Sequence, residues 1–315
     1  MLTEELRPKK LDDVCGQELN IKIIKGFIKK EKLPHMLFSG PAGTGKTSTA
    51  ECIARELYGD EWREYYIEQN ASDDRGIGVV RDKIKREAEI STLDFPFKIY
   101  FLDECDALTK EAQDALRRII EKNTDRTVFI LSCNYKNKLI EPLINRCVYF
   151  PFKPLNKKDI SEYIKGIAEQ YNIHIQPVAL EMLASISKGS IRPVLNTFEK
   201  FIATDQKEIT PNIVSNYTNQ ITEKDIQNIM SMISDRDVTP IDNYIENVII
   251  GNGYEPAEVL EKIREFIKKT KMLSDKQKLM IIKLLGDIDF RIAQGATPAI
   301  QLKTFFAYII MQIGK

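Results

Sequence analysis

A short segment near the start of the chain has the residue types and spacing of a phosphate-binding loop. Residues 40–47 read GPAGTGKT, which fits the pattern G-x-x-x-x-G-K-[ST]. An apolar run at 36–39 precedes it and a helical pattern at 45–58 begins within it. Glycines let backbone N–H groups face a phosphate, and the helix N-terminus adds a partial positive charge. A glycine-rich turn with a chance lysine is the alternative, and this strand-loop-helix context argues against it.

Each position of the loop has an expected role at a nucleotide. Lys46 is expected to reach the β- and γ-phosphates, so we count it as catalytic as well as nucleotide-binding. Thr47 is expected to hold Mg²⁺. The predicted nucleotide-binding residues of the loop are Gly40, Pro41, Ala42, Gly43, Thr44, Gly45, Lys46, Thr47 and Ser48.

Two carboxylates follow a second apolar run. Residues 99–104 read IYFLDE, so Asp103 is placed to bind Mg²⁺ and Glu104 to polarise an attacking water as a general base. Strands often end in acidic turns, so the pair alone is weak evidence. Downstream of the phosphate loop it predicts nucleotide hydrolysis, because only hydrolysis needs a base beside the metal. A kinase would need an acceptor pocket, of which the sequence gives no sign.

Asn134 ends a third apolar run, in SCNY. Its amide could orient the water or touch the γ-phosphate, which makes it a candidate catalytic and nucleotide-binding residue. Asparagine is also common in turns. The sequence leaves both interpretations open.

Bulk composition limits the class of protein. The 315 residues suffice for two or three domains, and 43% hydrophobic residues allow sizeable cores. Lys plus Arg and Asp plus Glu both number 46, so any contact with nucleic acid must come from a local patch. The N-terminus MLTEELRPKK lacks the apolar stretch of a signal peptide, and no run reaches the length of a membrane span. Scattered cysteines without a C-x-x-C pair fit a reducing compartment. We therefore expect a soluble, intracellular protein with no membrane contact.

Strand and helix patterns alternate in the first half of the chain. The strand-like runs lie at 36–39, 65–69, 98–102, 127–133 and 147–152, and the helical patterns at 19–30, 45–58, 78–90 and 109–122. This alternation predicts a parallel sheet with crossover helices. Later patterns are helical, at 161–171, 178–188, 192–204, 222–234, 238–250, 255–269, 274–292 and 297–313, with a break at 205–221. We predict an α/β domain at 1–152, a small helical domain at 153–220 and a helical C-terminal domain at 221–315.

These motifs together resemble the small subunit of replication factor C, an AAA+ clamp loader. LRPKKLDDVCGQ at 6–17 resembles the N-terminal box of that family, and EQNASDDRGI at 68–77 a box found in few other ATPases. AQDALRRIIE at 112–121 and SCNYKNKLIEPLINRC at 132–147 continue the likeness, and DFRIAQGATPAIQL at 289–302 resembles the collar motif. The resemblance runs nearly end to end. It implies a P-loop AAA+ domain with a parallel sheet flanked by helices, a helical lid and an all-α collar that joins subunits.

The resemblance also implies roles for residues outside the phosphate loop. Arg146 matches a catalytic arginine that acts in trans, reaching the γ-phosphate held by the neighbouring subunit. Without the family, an exposed, solvated arginine would be expected there. Arg192, in GSIRPVLN, matches the nucleotide-binding sensor-2 arginine of the lid, and Ser190 is a plausible cap for a helix starting there. The residues that match the stretch bordering the adenine are Arg7, Pro8, Val14 and Gly16.

A basic stripe follows the 68–77 box. Residues 75–86 read RGIGVVRDKIKR, in which Arg81 and Lys85 are four apart and share one helix face. In the family this helix lines the central chamber, so the resemblance implies DNA contacts by Arg75, Arg81 and Lys85. Such contacts to phosphates confer affinity without sequence choice. Without the family, a solvated helix face would be the expected interpretation.

Two further segments, 89–97 and 297–313, are apolar. EISTLDFPF at 89–97 carries Leu93, Phe95 and Phe97. Family subunits present this region to the clamp, but these residues could equally plug the base of the sheet. The helix predicted at 297–313 is apolar almost all round and should be buried, for which the collar interface is the natural place.

The implied function is that of an ATPase subunit of a clamp loader. It would bind ATP with Mg²⁺ at subunit interfaces, hydrolyse it on meeting primer–template DNA and the clamp, and so load a PCNA-type sliding clamp for replication and repair. Its implied partners are the large subunit and the other small subunits of a pentamer, and its site of action is the archaeal cytoplasm or nucleoid, or a nucleus. A helicase loader or branch-migration motor would instead predict a pore loop or DNA-binding appendage. A subunit that binds nucleotide without hydrolysis is disfavoured by the set Lys46, Asp103, Glu104 and Arg146.

Overall fold

The protein consists of two compact units, Met1–Ile209 and Thr210–Lys315. The computed structural model describes residues 2–73, 78, 80–90, 92, 94–218, 223–234, 238–251, 254, 256–270 and 273–313. Among the described helices, none combines the length and the hydropathy needed to cross a lipid bilayer.

A parallel sheet of five strands forms the centre of the first unit. Its strands are β1 (Met36–Ser39), β2 (Tyr66–Asn70), β3 (Lys98–Asp103), β4 (Thr127–Cys133) and β5 (Val148–Pro151), in the order β2-β3-β4-β1-β5. Every neighbouring pair is parallel. The predicted parallel sheet is therefore confirmed, and each predicted strand ends within one residue of the observed one.

The central strands are buried on both faces. Successive residues of a strand point to opposite sides, and Met36 and Phe38 pack into one core cluster while Leu37 packs into the other. In β3, Phe101 packs into the same cluster as Met36 and Phe38, and Tyr100 packs into the same cluster as Leu37. Fully burying such a side chain contributes about 1.5–3 kcal/mol. A continuous apolar run thus predicts a strand covered by helices on both sides.

Helices and one short strand pair complete the first unit. The α-helices are α1 (Leu2–Glu5), α2 (Glu18–Lys29), α3 (Lys46–Tyr58), α4 (Trp62–Tyr65), α5 (Lys85–Glu89), α6 (Lys110–Lys122), α7 (Glu141–Ile144), α8 (Lys157–Gln170), α9 (Pro177–Ile186) and α10 (Arg192–Ala203). A π-helical turn, Val80–Ile84, precedes α5, and a parallel pair joins β6 (His174–Ile175) to β7 (Glu208–Ile209).

Two local features differ from the prediction. Helix α8 begins four residues before the predicted start at Ser161. There the side-chain oxygen of Asn156 accepts a hydrogen bond from the backbone N–H of Asp159 at 2.9 Å, which caps the helix. The pair β6–β7 was not predicted, because two-residue strands are too short to show alternation.

The second unit is helical. Its α-helices are α11 (Pro211–Thr218), α12 (Glu223–Ser234), α13 (Val238–Tyr244), α14 (Pro256–Lys269), α15 (Asp275–Ala293) and α16 (Pro298–Ile313), and a π-helical turn, Ile245–Ile250, follows α13. Helix α11 lies within the predicted break at 205–221, so that prediction was wrong there. Proline at the first helical position is compatible with a helix, since its missing N–H would be unpaired anyway. Phe305 and Phe306 of α16 are buried in the core of this unit.

His35 is a buried titratable group next to β1. It is 9% exposed, and its Nδ1 accepts a hydrogen bond from the backbone N–H of Phe129 at 3.1 Å, which requires an unprotonated Nδ1. Burial lowers its pKa from 6.5 to about 4. Between these values the unfolded chain binds a proton that the folded chain does not. Stability from neutral His35 is therefore complete above pH 6.5 and is lost as the pH falls towards 4.

We predict that His35→Asn weakens this pH dependence, because asparagine can still accept the hydrogen bond but does not titrate. In urea unfolding of the first unit at pH 7 and pH 4.5, the loss of unfolding free energy should be roughly 2–3 kcal/mol smaller in the variant than in the wild type. The control is His174→Asn, since His174 is exposed on β6. An equal loss in His35→Asn and wild type would contradict the assignment.

Candidate nucleotide site

The glycine-rich loop between β1 and α3 has a backbone that only glycine adopts easily. Gly43 and Gly45 have φ values of 74° and 97°. A Cβ on Gly43 would lie 2.0 Å from the Oγ of Ser190. Gly45 is the N-cap of α3, whose first residue is Lys46. The loop therefore presents the unpaired N–H groups at the start of α3, which is how helices bind phosphate.

Lys46 is buried within this loop, with 7% exposure. Its Nζ donates to the carbonyl oxygens of Gly40 at 2.6 Å and Pro41 at 2.9 Å, and to Oδ1 of Asn134 at 3.1 Å. Burial lowers its pKa, and the nearby carboxylate of Asp103 opposes that shift. The ammonium is thus held by neutral oxygens, which a negatively charged phosphate can replace.

Thr47 and Asp103 form a pair of oxygen ligands. The Oγ1 of Thr47 donates to Oδ2 of Asp103 at 3.3 Å. Asp103 is the last residue of β3 and lies in register with Asn70 of β2. A hydroxyl and a carboxylate suit Mg²⁺, which takes few protein ligands and fills its octahedron with waters and phosphate oxygens. These two residues therefore fit the predicted metal site.

Glu104 has an unusual backbone for a residue with a side chain. Its φ is 52°, in the left-handed region, and its N–H donates to Oδ1 of Asp103 at 2.9 Å. Such a conformation costs on the order of 1–3 kcal/mol and is found most often at functional sites. It turns the chain from β3 into the 3₁₀ turn Cys105–Ala107 and leaves Glu104 at the cleft.

Asp106 positions the residue after β4. Its Oδ1 accepts from the backbone N–H of Asn134 and its Oδ2 from that of Tyr135, both at 3.3 Å. The sequence did not identify Asp106, although it lies only two residues beyond Glu104. Since Asn134 contacts Lys46 and lines the cleft, its position favours a role in the site over that of a simple turn residue.

A cleft of about 350 Å³ lies at this loop, within the usual range of ligand pockets. The predicted site residues that line it are Arg7, Pro8, Val14, Ala42, Gly43, Thr44, Gly45, Lys46, Thr47, Ser48, Asp103, Glu104, Asn134 and Arg192. Ten other lining residues were not among the predicted site residues: Thr3, Glu4, Leu6, Asp13, Cys15, Asn70, Leu155, Tyr163, Ile191 and Leu195.

Three predicted nucleotide-binding residues do not line the cleft. Gly40 and Pro41 act through their carbonyl groups on Lys46, and a Cβ on Gly40 would lie 1.9 Å from the carbonyl oxygen of Phe152. Gly16 has a φ of 68° and packs against Leu155, where a Cβ would come within 2.3 Å. These glycines shape the surroundings of the cleft.

Arg192 is the first residue of α10, as predicted, and lies exposed at the cleft. The predicted cap was wrong. The N-cap is Ile191, which already has helical dihedral angles and makes no side-chain cap bond. Ser190 instead packs against the loop at Gly43, and the N–H of Ile191 donates to the carbonyl of Gly43 at 3.4 Å.

Arg146 lies outside the cleft of its own chain. Its side chain is 54% exposed and binds Glu121 on α6, through Nε at 2.8 Å and Nη2 at 2.6 Å. The same carboxylate oxygen accepts from Nη1 of Arg117 at 2.8 Å. Glu121 therefore holds two guanidinium groups together on one surface.

The predicted DNA contacts are described only in part. Arg75 and the side chain of Arg81 lie outside the described residues, and Lys85 is exposed with an ion-pair distance of 3.9 Å to Glu89. In the 89–97 segment, the ring of Phe95 packs against those of Tyr58 and Tyr65, with centroids 4.9 and 4.7 Å away.

Phe97 is partly buried against the same core, while Leu93 lies outside the described residues. The two phenylalanines of the segment thus support the interpretation as a plug at the base of the sheet.

Comparison with known proteins finds relatives along almost the whole chain. A family model described as "Replication factor C C-terminal domain" matches residues 221–308, and one described as "ATPase family associated with various cellular activities (AAA)" matches residues 36–155. Replication factor C small subunit of Picrophilus torridus is 37% identical over 308 residues, which cover 98% of this chain and 96% of that protein. The proteins of the same name from Archaeoglobus fulgidus and Staphylothermus marinus are also 37% identical, covering 97% and 96% of this chain and 96% and 92% of theirs.

Solved structures share the fold at lower identity. RuvB of Thermotoga maritima, described as a Holliday junction branch migration motor, has a TM-score of 0.55 and 24% identity, covering 72% of this chain and 79% of that one. A mutant of the same protein has a TM-score of 0.57 and 23% identity, covering 72% and 80%. This likeness concerns the fold alone. With the AAA match it confirms the predicted fold class.

We predict that Asp106→Asn slows turnover without weakening nucleotide binding. The amide offers only one acceptor oxygen in place of two, so Asn134 loses part of its positioning, while the bonds from Lys46 to the carbonyls of Gly40 and Pro41 remain. The turnover rate at saturating ATP should fall about tenfold, an effect of the size that indirect positioning contacts have. Asp125→Asn, at an exposed turn, is the matched control. A rise in the Kd for ATP with unchanged turnover would count against this role.

Proposed function

The chain belongs to the replication factor C small-subunit family and is an AAA+ ATPase, and from this premise we propose that it is a clamp-loader subunit that uses ATP to load a sliding clamp onto DNA. One observation carries the proposal. Lys46, Thr47, Asp103 and Glu104 line a single cleft, although Lys46 and Asp103 are far apart in the chain. That arrangement supports binding and hydrolysis of ATP at one site.

The residues divide the hydrolysis between them. The N–H groups of the glycine loop and the ammonium of Lys46 would hold the β- and γ-phosphates. Bound Mg²⁺, held by Thr47 and Asp103, would supply positive charge at the phosphate oxygens. The carboxylate of Glu104 would accept a proton from the attacking water. The amide of Asn134, hydrogen-bonded to Lys46 at 3.1 Å, would orient that water or the γ-phosphate.

The sheet topology favours action of Arg146 on a neighbouring subunit. The phosphate loop follows β1, Asp103 is the last residue of β3 and Glu104 follows it, whereas Arg146 precedes the amino end of β5. All these strands are parallel, so the two ends lie on opposite edges of the sheet. An exposed arginine on the far edge supports the proposal that it stabilises charge on the γ-phosphate held next door.

Three further parts of the proposal concern the lid, the collar and the contacts with DNA. Arg192 at the start of α10 would contact the nucleotide and so link its state to the position of residues 153–220, the proposed lid. Residues 221–315, the proposed collar, would join the large subunit and other small subunits into a pentamer. Arg75, Arg81 and Lys85 would contact primer–template DNA at the site of replication. The relatives named replication factor C small subunit support this scheme.

We predict that Glu104→Gln retains ATP binding but lowers turnover by roughly 10² to 10⁴-fold, because the amide cannot accept the proton. Binding and single-turnover hydrolysis are measured on the same preparation. Lys46→Ala is the paired variant, which should lose ATP binding itself. Normal turnover in Glu104→Gln would remove Glu104 as the base, and tight binding in Lys46→Ala would remove the phosphate role of the loop.

We predict that Arg146→Ala lowers hydrolysis only in the assembled complex. The rate stimulated by primed DNA and clamp should fall by a factor on the order of 10³, because the neighbour's γ-phosphate loses its guanidinium. Nucleotide affinity of the isolated subunit should not change. Arg118→Ala is the matched control, since Arg118 is 66% exposed and pairs with Asp114. An unchanged stimulated rate would exclude the trans role, and absence of stimulation in the wild type would exclude the clamp-loader function.

A further inference from the structure

A carboxylate is buried on the helix that carries the phosphate loop. Glu51 of α3 is 5% exposed and lies one helical turn beyond Thr47, between small and apolar neighbours. Glu51 does not line the nucleotide cleft. A buried charge is costly unless an opposite charge and hydrogen bonds satisfy it, so this carboxylate must have a partner.

The partner of Glu51 is Arg7, which lies in the N-terminal segment, residues 2–8. The Nη1 of Arg7 binds Oε1 of Glu51, and Nη2 binds Oε1 of Glu4 at 2.8 Å. Burial lowers the pKa of Arg7, but these two carboxylates outweigh it and the net shift is upward. A second cation near Glu51 is Arg55, whose Nη2 lies 4.0 Å from Oε2 and whose guanidinium stacks on Trp62 at 4.2 Å. Arg7 is therefore the main counterion.

A second acidic group increases the need for Arg7. Burial, and next the charge of Glu51, raise the pKa of Glu68 on β2, while Arg7 lowers it. The hydroxyl of Tyr66 donates to Oε2 of Glu68 at 3.3 Å. Removal of Arg7 would leave two carboxylates facing each other in a poorly solvated place.

The other end of the N-terminal segment is attached to the helices that follow the sheet. The backbone N–H of Leu2 donates to Glu199 of α10 at 3.3 Å. On α8, the hydroxyl of Tyr163 donates to the carbonyl of Leu6 at 3.4 Å. Held by these contacts and by the ion pair of Arg7, the segment forms one wall of the nucleotide cleft. The wall consists of Thr3, Glu4, Leu6, Arg7 and Pro8.

We propose that Arg7 is a positioning residue whose ion pair with buried Glu51 fixes residues 3–8 as a wall of the nucleotide cleft. Because its guanidinium is bound by the carboxylates of Glu51 and Glu4, Arg7 affects nucleotide binding indirectly, by holding residues 3–8 in position. This assigns Glu51, which does not line the cleft, a role in nucleotide affinity. The inference rests on the nucleotide-binding role proposed for the cleft.

The two possible roles of Arg7 predict different couplings. If Arg7 bound the nucleotide directly, replacing Arg7 would lower the nucleotide affinity and replacing Glu51 would have little effect on it. The losses of affinity in the two variants would then be independent. If the ion pair holds the wall, replacing Arg7 and replacing Glu51 have the same effect on nucleotide affinity. The double variant is then no weaker than either single variant, because the same interaction is removed only once.

The test measures the Kd for a fluorescent ATP analogue and steady-state kinetics in Glu51→Gln, Arg7→Ala and the double variant. We expect each single variant and the double variant to raise Kd and KM about tenfold. The turnover number at saturating ATP should stay within about twofold of wild type, since a wall displaced in the free enzyme is restored by bound nucleotide. Trypsin should also cleave faster at the adjacent Lys9 and Lys10 without nucleotide.

Controls separate this role from a loss of fold or of charge. Arg55→Gln removes the other cation near Glu51 without touching the wall, and should leave Kd unchanged. Arg7→Lys keeps a positive charge beside Glu51 and should recover part of the affinity lost in Arg7→Ala. Circular dichroism compares the folding of all variants, and the Arg7 variants carry the test if Glu51→Gln does not fold.

An unchanged Kd in folded Glu51→Gln, or additive losses in the double variant, would overturn the inference. Failure of the proposed function is distinguishable from this result. If Lys46→Ala binds ATP normally, the cleft is not the nucleotide site. If Lys46→Ala loses binding while Glu51→Gln is normal, only the role of the ion pair fails.

Discussion

The nucleotide site depends on a steric constraint, the close approach of the loop backbone to three other segments. Gly40 lies against the carbonyl of Phe152, Gly43 against Ser190 and Gly45 against Val14, each nearer than a Cβ ordinarily allows. Two of these contacts join the loop to the residues around β5 and to the start of α10. Each of these glycines admits a neighbour that a Cβ would crowd, so the loop packs directly against all three segments. The absence of side chains that shapes the phosphate loop thus also brings it into contact with the segments around β5 and before α10.

The strand order brings the chemistry together. Strands β3, β4 and β1 are adjacent, so the segments that follow them meet at one edge of the sheet. Asp103 ends β3 and Glu104 follows it, Asn134 follows β4, and the loop with Lys46 follows β1. Parallel strands place all these residues at the carboxyl edge, where ligands bind in such folds. Arg146 lies at the opposite edge by the same rule, which supports the proposal that it acts on the nucleotide of a neighbouring subunit.

Much of this arrangement could be predicted from the sequence, and the failures have physical causes. The strands and the pairing of the glycine loop with Asp103 follow from patterns that are local in the chain. Glu51 and Asp106 were missed because their partners are distant, as with Arg7, which lies 44 residues before Glu51. A signal existed, since Glu51 interrupts the small and apolar residues AECIA on a helix. The prediction of Ser190 as a helix cap was wrong because Ser190 packs against Gly43, whose lack of a side chain leaves room for it.

Helix α3 buries two opposite charges in two different ways, and the difference follows from what each must do. Lys46 is satisfied by the dipoles of two carbonyls and one amide. A bond from the ammonium to a neutral oxygen is weaker than one to a phosphate, where both groups are charged, so a phosphate can displace these partners. Glu51 is satisfied by a full charge on Arg7, and removing that partner would leave a buried carboxylate unpaired, which is strongly unfavourable. One end of the helix therefore stays open to exchange of ligands, while the next turn stays permanently paired and keeps the N-terminal wall beside it.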